Sequence, residues 1–139
     1  MNRIGIIGAM ELEVEELKSQ MEEVTVKEKA SMEFYQGTLN GKEVVVVRSG
    51  IGKVNAAVCT QILVDDFQVE AVINTGIAGS LKAEINIGDI VASTDALQHD
   101  MDAREFGYPK GQIPQMNVFS FKADETLRKV AVECCKKAN

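Results

Sequence analysis

The chain has 139 residues, 45% of them hydrophobic and 26% charged, with a formal net charge of −6 and a pI of about 4.8. That is one domain's length with enough apolar surface for a real core. The acidic excess repels phosphate backbones, and 5% aromatics with no Trp leaves few stacking platforms, so nucleic-acid binding is not expected. The three cysteines, Cys59, Cys134 and Cys135, fit a reducing compartment. The apolar start is too short for a leader and runs straight into Glu11, Glu13, Glu15 and Glu16. No stretch approaches the roughly 20 apolar residues of a membrane span. The expected location is cytoplasmic, with no membrane partner.

Residues 2–8 read as a strand buried on both faces, with Gly5 and Gly8 allowing close backbone approach. Met10, Val14, Leu17, Met21 and Val24 then recur at helical spacing and predict one amphipathic helix. At about 100° per residue, Glu13 lies nearest the apolar stripe among the neighbouring acids, and Glu15 and Glu16 lie further round. Two readings of Glu13 stay open on pattern alone: a helix-capping acid, or an inward-facing carboxylate whose ionised form the helix dipole favours.

Residues 24–49 read as β-rich. Asn40-Gly41 between 33–39 and 43–48 is a type I′ hairpin signal, and the second arm looks like a central strand. It ends in Ser49-Gly50-Ile51-Gly52-Lys53, before a helix marked by Val54, Ala57, Val58 and Ile62. This turn is no Walker A loop, because Val47 and Val54 stand where that loop needs Gly and Ser/Thr. Asn55 stands where the dinucleotide fingerprint needs its third glycine. A structural tight turn and a loop with backbone N–H groups facing a polar ligand both remain open.

Residues 70–74 predict another buried strand, running into Thr75-Gly76-Ile77-Ala78-Gly79-Ser80. Ligands of open α/β sheets bind beyond such strand ends. Residues 88–94 predict a further strand. The polar stretch 98–117 holds both prolines and the lone His99, and loops of this length are functional or interfacial. One histidine with Asp100 and Asp102 is too sparse for a metal site, so no metal is expected. A last helix is predicted over 123–137, with Leu127, Val130, Ala131 and Cys134 on its apolar stripe; the adjacent Cys134 and Cys135 read as packing residues. No composition shift marks a linker, so 1–139 is read as a single domain.

Five segments in this order and spacing, IGIIGAMELEVEEL (4–17), SGIGKVNAA (49–57), INTGIAGS (73–80), GDIV (88–91) and AREFGYPKGQIP (103–114), resemble 5′-methylthioadenosine/S-adenosylhomocysteine nucleosidase. That family lies within the nucleoside phosphorylase/hydrolase superfamily. The resemblance implies an α/β sandwich with a twisted mixed β-sheet flanked by helices, in a homodimer without cofactor or metal. It implies hydrolysis of an N-glycosidic bond that releases adenine and a 5-thioribose. Glu13 matches the family's water-activating glutamate. Ala9, Met10 and Ile51 match residues around the water and ribose, and Ile77, Ala78 and Gly79 match the segment lining the ribose and purine pocket. Many relatives carry Ser at the position of Ile77, so any hydroxyl contact there is absent. Phe106 and Pro114 match loop residues lent to the dimer partner.

In the family, the acid that protonates the purine lies well beyond residue 139. The chain is therefore read as an N-terminal portion, with the C-terminal part of the fold missing and no activity expected of it alone. Two alternatives stand beside this: a non-catalytic oligomerising fragment, and a related purine or futalosine nucleosidase or a nucleoside phosphorylase, which would want Arg around a phosphate. Arg48 precedes the glycine turn, but strand alternation can point it elsewhere and the hydrolase loop matches more closely.

Overall fold

A computed structural model describes residues 2–138, which divide into two compact units, 2–79 and 80–138. The first unit begins with β1 (Arg3–Gly8), a single 3-10 turn (Glu11–Glu13) and the short α1 (Glu15–Ser19). It continues through β2 (Glu22–Lys29), β3 (Met32–Leu39), β4 (Lys42–Arg48), α2 (Lys53–Phe67) and β5 (Ala71–Asn74). The sheet order is β2-β3-β4-β1-β5, with β1 parallel to both β4 and β5 and with antiparallel hairpins at the other side. The expected α/β class with a mixed sheet is borne out.

Alternation along β1 and β4 decides what each face buries. Ile7, Val45 and Val47 share one face with Phe34, against Cys59, Ile62, Leu63 and Phe67 of α2. Gly5 makes that helix fit: a Cβ there would lie 2.9 Å from Leu63 Cδ1. Ile6, Val44 and Val46 share the other face with Val14, flanked by Leu17 and Met21. Parallel β1, β4 and β5 end together at Gly8, Arg48 and Asn74, which gathers their following loops at one edge of the sheet.

Two expectations for this unit need correction. The helix predicted through Val24 stops at Ser19, because Thr25 and Val26 pair with Gln36 and Tyr35 of β3. Ladder bonds and β-branched side chains outweigh the helical spacing there. In α2 the buried stripe is Cys59, Ile62, Leu63 and Phe67, whereas Val54 and Val58 are exposed. The Asn40-Gly41 turn is as expected, with φ of 49° and 74°. A second two-residue hairpin at Ala30-Ser31 has the same left-handed geometry, φ 51° and 58°, without a glycine to announce it.

The edge strand β2 is tied to α2 by charge. Asp66 Oδ2 lies 2.7 Å from Lys27 Nζ and 2.9 Å from Lys29 Nζ. The Lys27 hydrogen bond, then the Lys29 one, holds the Asp66 carboxyl below its ordinary value. A depressed folded-state value stabilises the fold above the unfolded carboxylate pKa, and that contribution is lost as pH falls through the folded value. Asp66→Asn is expected to flatten the acid side of stability against pH, read from thermal melts between pH 3 and 7, and to leave the neutral-to-alkaline side parallel to the parent.

The second unit contains β6 (Asp95–Ala96), β7 (Phe121–Lys122) and α3 (Glu125–Ala138), with a 3-10 turn at Arg104–Phe106. β6 and β7 pair antiparallel at the base of the long polar loop. The strand expected over 88–94 is not formed: the segment has no ladder partner among the described residues, and Ile90 and Val91 stay exposed. An extended run without a partner cannot satisfy its backbone groups as a strand. The final helix forms as expected, but its half-buried positions are Leu127, Arg128, Val132 and Cys135; Val130, Ala131 and Cys134 face solvent. All three cysteines are free thiols, and burial pushes Cys59 up to about 11.

Candidate active site

The loops beyond β1, β4 and β5 build the site. After Gly8 the chain leaves the sheet and makes its 3-10 turn, closed by the Glu13 N–H donating to the Met10 carbonyl at 3.1 Å. The Met10 N–H in turn donates to Glu13 Oε2 at 2.9 Å, so the capping reading is correct. The other carboxylate oxygen, Oε1, accepts the Ile77 N–H at 3.0 Å, from the loop that follows β5. Glu13 therefore also faces inward, half-buried, and the two readings left open by the sequence are one arrangement.

Both oxygens are held by backbone donors whose positions are fixed by parallel strands. Ile77 N–H first and Met10 N–H next hold the Glu13 carboxyl below its ordinary value; partial burial opposes them, and the Ala9 N–H adds a lesser lowering effect. The group is ionised at neutral pH. Oε1 accepts from Ile77 and Oε2 from Met10, which leaves lone-pair capacity on the carboxylate for a water or a hydroxyl.

Ala9, Met10 and Ile51 line one open groove of about 600 Å³, together with Arg48, Ser49, Gly50 and the Ala30-Ser31 hairpin tip. Ser49 is buried: its N–H donates to the Gly8 carbonyl at 2.9 Å and its hydroxyl to the Gly50 carbonyl at the same distance. Gly50 and Gly52 take φ of 83° and 99°, a backbone course that only glycine follows without strain. Asn55 Nδ2 donates to the Ile51 carbonyl at 2.8 Å and sets the loop against the start of α2.

Ile77, Ala78 and Gly79 follow β5 and are exposed; of the three, Ile77 is joined to Glu13, through its N–H. Phe106 and Pro114 lie in the second unit, Phe106 81% exposed at the end of its 3-10 turn and Pro114 half-buried. Arg48 reaches the groove, but its Nε lies 3.8 Å from Glu11 Oε2, and Glu11 Oε1 also holds Lys18 Nζ at 2.7 Å. The cation that phosphate chemistry would want is already facing an acid. Asp102 is gripped by Arg104 at 2.8 and 2.7 Å and held down to about 2, so its carboxylate is engaged as an ion pair. Among the described residues, no group of three or more His, Cys, Asp and Glu side chains converges as metal ligands would. Sequence reasoning missed the hairpin tip at Ala30-Ser31. Its place beside residues 48–51 follows from β3–β4 pairing, which composition does not show.

A sheet with a parallel centre, whose strand ends carry a backbone-clamped carboxylate and glycine turns, defines an α/β domain with its ligand edge at the strand termini. Residues 3–139 match the family model of the phosphorylase superfamily, and the chain belongs to that superfamily. The chain is similar to the 5′-methylthioadenosine/S-adenosylhomocysteine nucleosidase of Halalkalibacterium halodurans, 48% identical over 136 residues, covering 98% of this chain and 58% of that relative. It is similar in structure to the corresponding nucleosidase from Neisseria meningitidis in complex with methylthio-immucillin-A, at TM-score 0.96 and 40% identity, covering 100% of this chain and 60% of that one. The Colwellia psychrerythraea nucleosidase in complex with adenine matches at TM-score 0.91 and 46% identity, covering 94% and 54% respectively. The chain thus spans 58% of the length of the Halalkalibacterium relative. The resemblance read from the five segments is borne out.

Proposed function

We propose that this chain supplies the water-binding and ribose-facing part of a nucleosidase that hydrolyses the N-glycosidic bond of 5′-methylthioadenosine and S-adenosylhomocysteine. The observation that carries the reading is the Glu13 carboxylate, fixed by the Met10 and Ile77 N–H groups with acceptor capacity to spare. The names of the similar proteins and the nucleoside-like ligands of their structures supply the substrate class.

The chemistry follows from that carboxylate. As the C1′–N bond to the purine lengthens, positive charge builds on the sugar ring, as at other oxocarbenium-like centres. Glu13 holds a water against the opposite face through a free lone pair. The water oxygen forms the new bond to C1′, and its proton passes to Glu13. The departing purine takes up a proton from an acid that the resemblance places beyond residue 139. Ala9, Met10 and Ile51 form the apolar side of the ribose site, and Ile77, Ala78 and Gly79 form its other wall, where Ile77 contributes only backbone. Phe106 and Pro114 are read as lent across a homodimer to cover the 5′-alkylthio group.

The two units are read as parts of one nucleosidase domain that works in the cytoplasm. In support, no described helix is long and apolar enough to cross a membrane, and the cysteines are unpaired.

The test is adenine release from 5′-methylthioadenosine. The 139-residue polypeptide alone is expected to release none, and the same polypeptide fused to the remaining C-terminal segment of the Halalkalibacterium relative is expected to release adenine and free 5-methylthioribose without phosphate. Phosphate-dependent turnover yielding 5-methylthioribose-1-phosphate would instead establish the phosphorylase alternative.

A further inference from the structure

Glu13 lies in a slot between two glycines. A Cβ built on Gly8 would lie 2.7 Å from Val14 Cγ1 and 3.0 Å from Glu13 Cβ. A Cβ built on Gly76 would press on the carboxylate itself, meeting Oε1 and lying 2.7 Å from Cδ and 3.1 Å from Oε2. Neither glycine has its φ in the left-handed region, so each is a glycine for space and not for backbone freedom.

The two sides of the slot differ in what must yield. Val14 is fully buried and cannot retreat from a Gly8 side chain without opening the core around Val44 and Val46. Opposite Gly76 stands only the tip of a flexible side chain, and nothing else lies among its three nearest atoms. A methyl group at position 76 displaces the carboxylate before it disturbs the fold. The bond most exposed to that displacement is the adjoining one, from Ile77 N–H to Oε1; the Met10 bond is made by the other oxygen.

We propose that Gly76 is a positioning residue: its missing side chain lets residues 75–77 close over the Glu13 carboxylate, so that the Ile77 N–H fixes the direction of Oε1. This deepens the role given to Glu13 and rests on that reading for its catalytic meaning. Its geometric content stands by itself. An alanine here is tolerated by the fold and costs the site the orientation of its water-binding oxygen.

The experiment reads both bonds directly in the isotopically labelled 139-residue chain at neutral pH. Through-hydrogen-bond scalar couplings are recorded from the Met10 and Ile77 amide nitrogens to the Glu13 carboxylate carbon. The parent is expected to show both couplings. Gly76→Ala is expected to keep the Met10 coupling and the dispersed spectrum of the sheet while losing the Ile77 coupling, a selective loss that general destabilisation does not produce.

Gly76→Ala with both couplings intact would overturn the proposal, and so would a parent lacking the Ile77 coupling or a Gly76→Ala chain that fails to fold. These outcomes are separate from those of the functional reading. If a fused polypeptide carrying Glu13→Gln kept its nucleosidase activity, the functional reading would fall while the couplings stood as measured.

Discussion

Glu13→Gln is expected to lower adenine release by the fused polypeptide by about 10³-fold, the middle of the range for removing a positioned general base. The two N–H donors at this site explain why the amide is no substitute. Glutamine offers one acceptor oxygen and a donor NH₂ to two backbone donors, so either the Met10 or the Ile77 N–H is left facing another donor. The charge that steadies the developing cation is lost at the same time. The pH dependence carries a sign that separates this carboxylate from an ordinary one. Because Ile77 and Met10 hold its protonation below the usual range, the acid limb set by Glu13 is expected only at pH values below those of a free glutamate, and any alkaline limb belongs to the acid that protonates the purine. Such a depressed group is a weak base, suited to orienting water and receiving its proton late. Glu15→Gln, on the exposed face of α1, is the matched control and is expected to change kcat less than twofold.

How much of this was legible in the sequence depends on whether the deciding interaction was local. β1 declared itself through Ile4, Ile6 and Ile7, and the Asn40-Gly41 hairpin through its turn chemistry, because backbone preference and burial agree there. The helix expected through Val24 does not form because pairing of Thr25 and Val26 with Gln36 and Tyr35 of β3 outweighs a spacing pattern. The strand expected at 88–94 is absent for the converse reason: its composition is that of a strand, but no strand among the described residues pairs with it. The stripe on α2 was shifted toward Cys59, Leu63 and Phe67 by what the sheet offers, above all the space left by Gly5. At the site, the local half was readable, since Glu13 stands three residues from Met10 as a capping acid does. The Ile77 N–H comes from 64 residues further along the chain, and no periodicity carries that information. It becomes visible only once β1 and β5 lie side by side.

Phe34→Ala is expected to be the most destabilising single substitution in the first unit, at about 3–5 kcal/mol. Phe34 is fully buried on β3, and its ring stacks on Phe67 with centroids 5.1 Å apart at 22°. It links the helix end to Val45 and Val47 in one cluster, so the cavity opens between the sheet and α2, where rigid elements on both sides prevent collapse. The aromatic pair is worth about 0.5–1.5 kcal/mol beyond area burial, and that part is lost as well. Against a total of about 5–15 kcal/mol for a folded domain, this removes a large fraction. With a urea slope of about 1–3 kcal/mol per M, the unfolding midpoint drops by about 2 M. The chain has two tyrosines and no Trp, so a Tyr108→Phe background leaves Tyr35, on the same strand as Phe34, as the fluorescent reporter. Val54→Ala is the contrasting case, an equally apolar truncation on α2 at a side chain 79% exposed, and it should move the same midpoint by no more than about 0.3 M. A Phe34→Ala midpoint within that small range would mean that the α2 face of the sheet does not carry the core described for it.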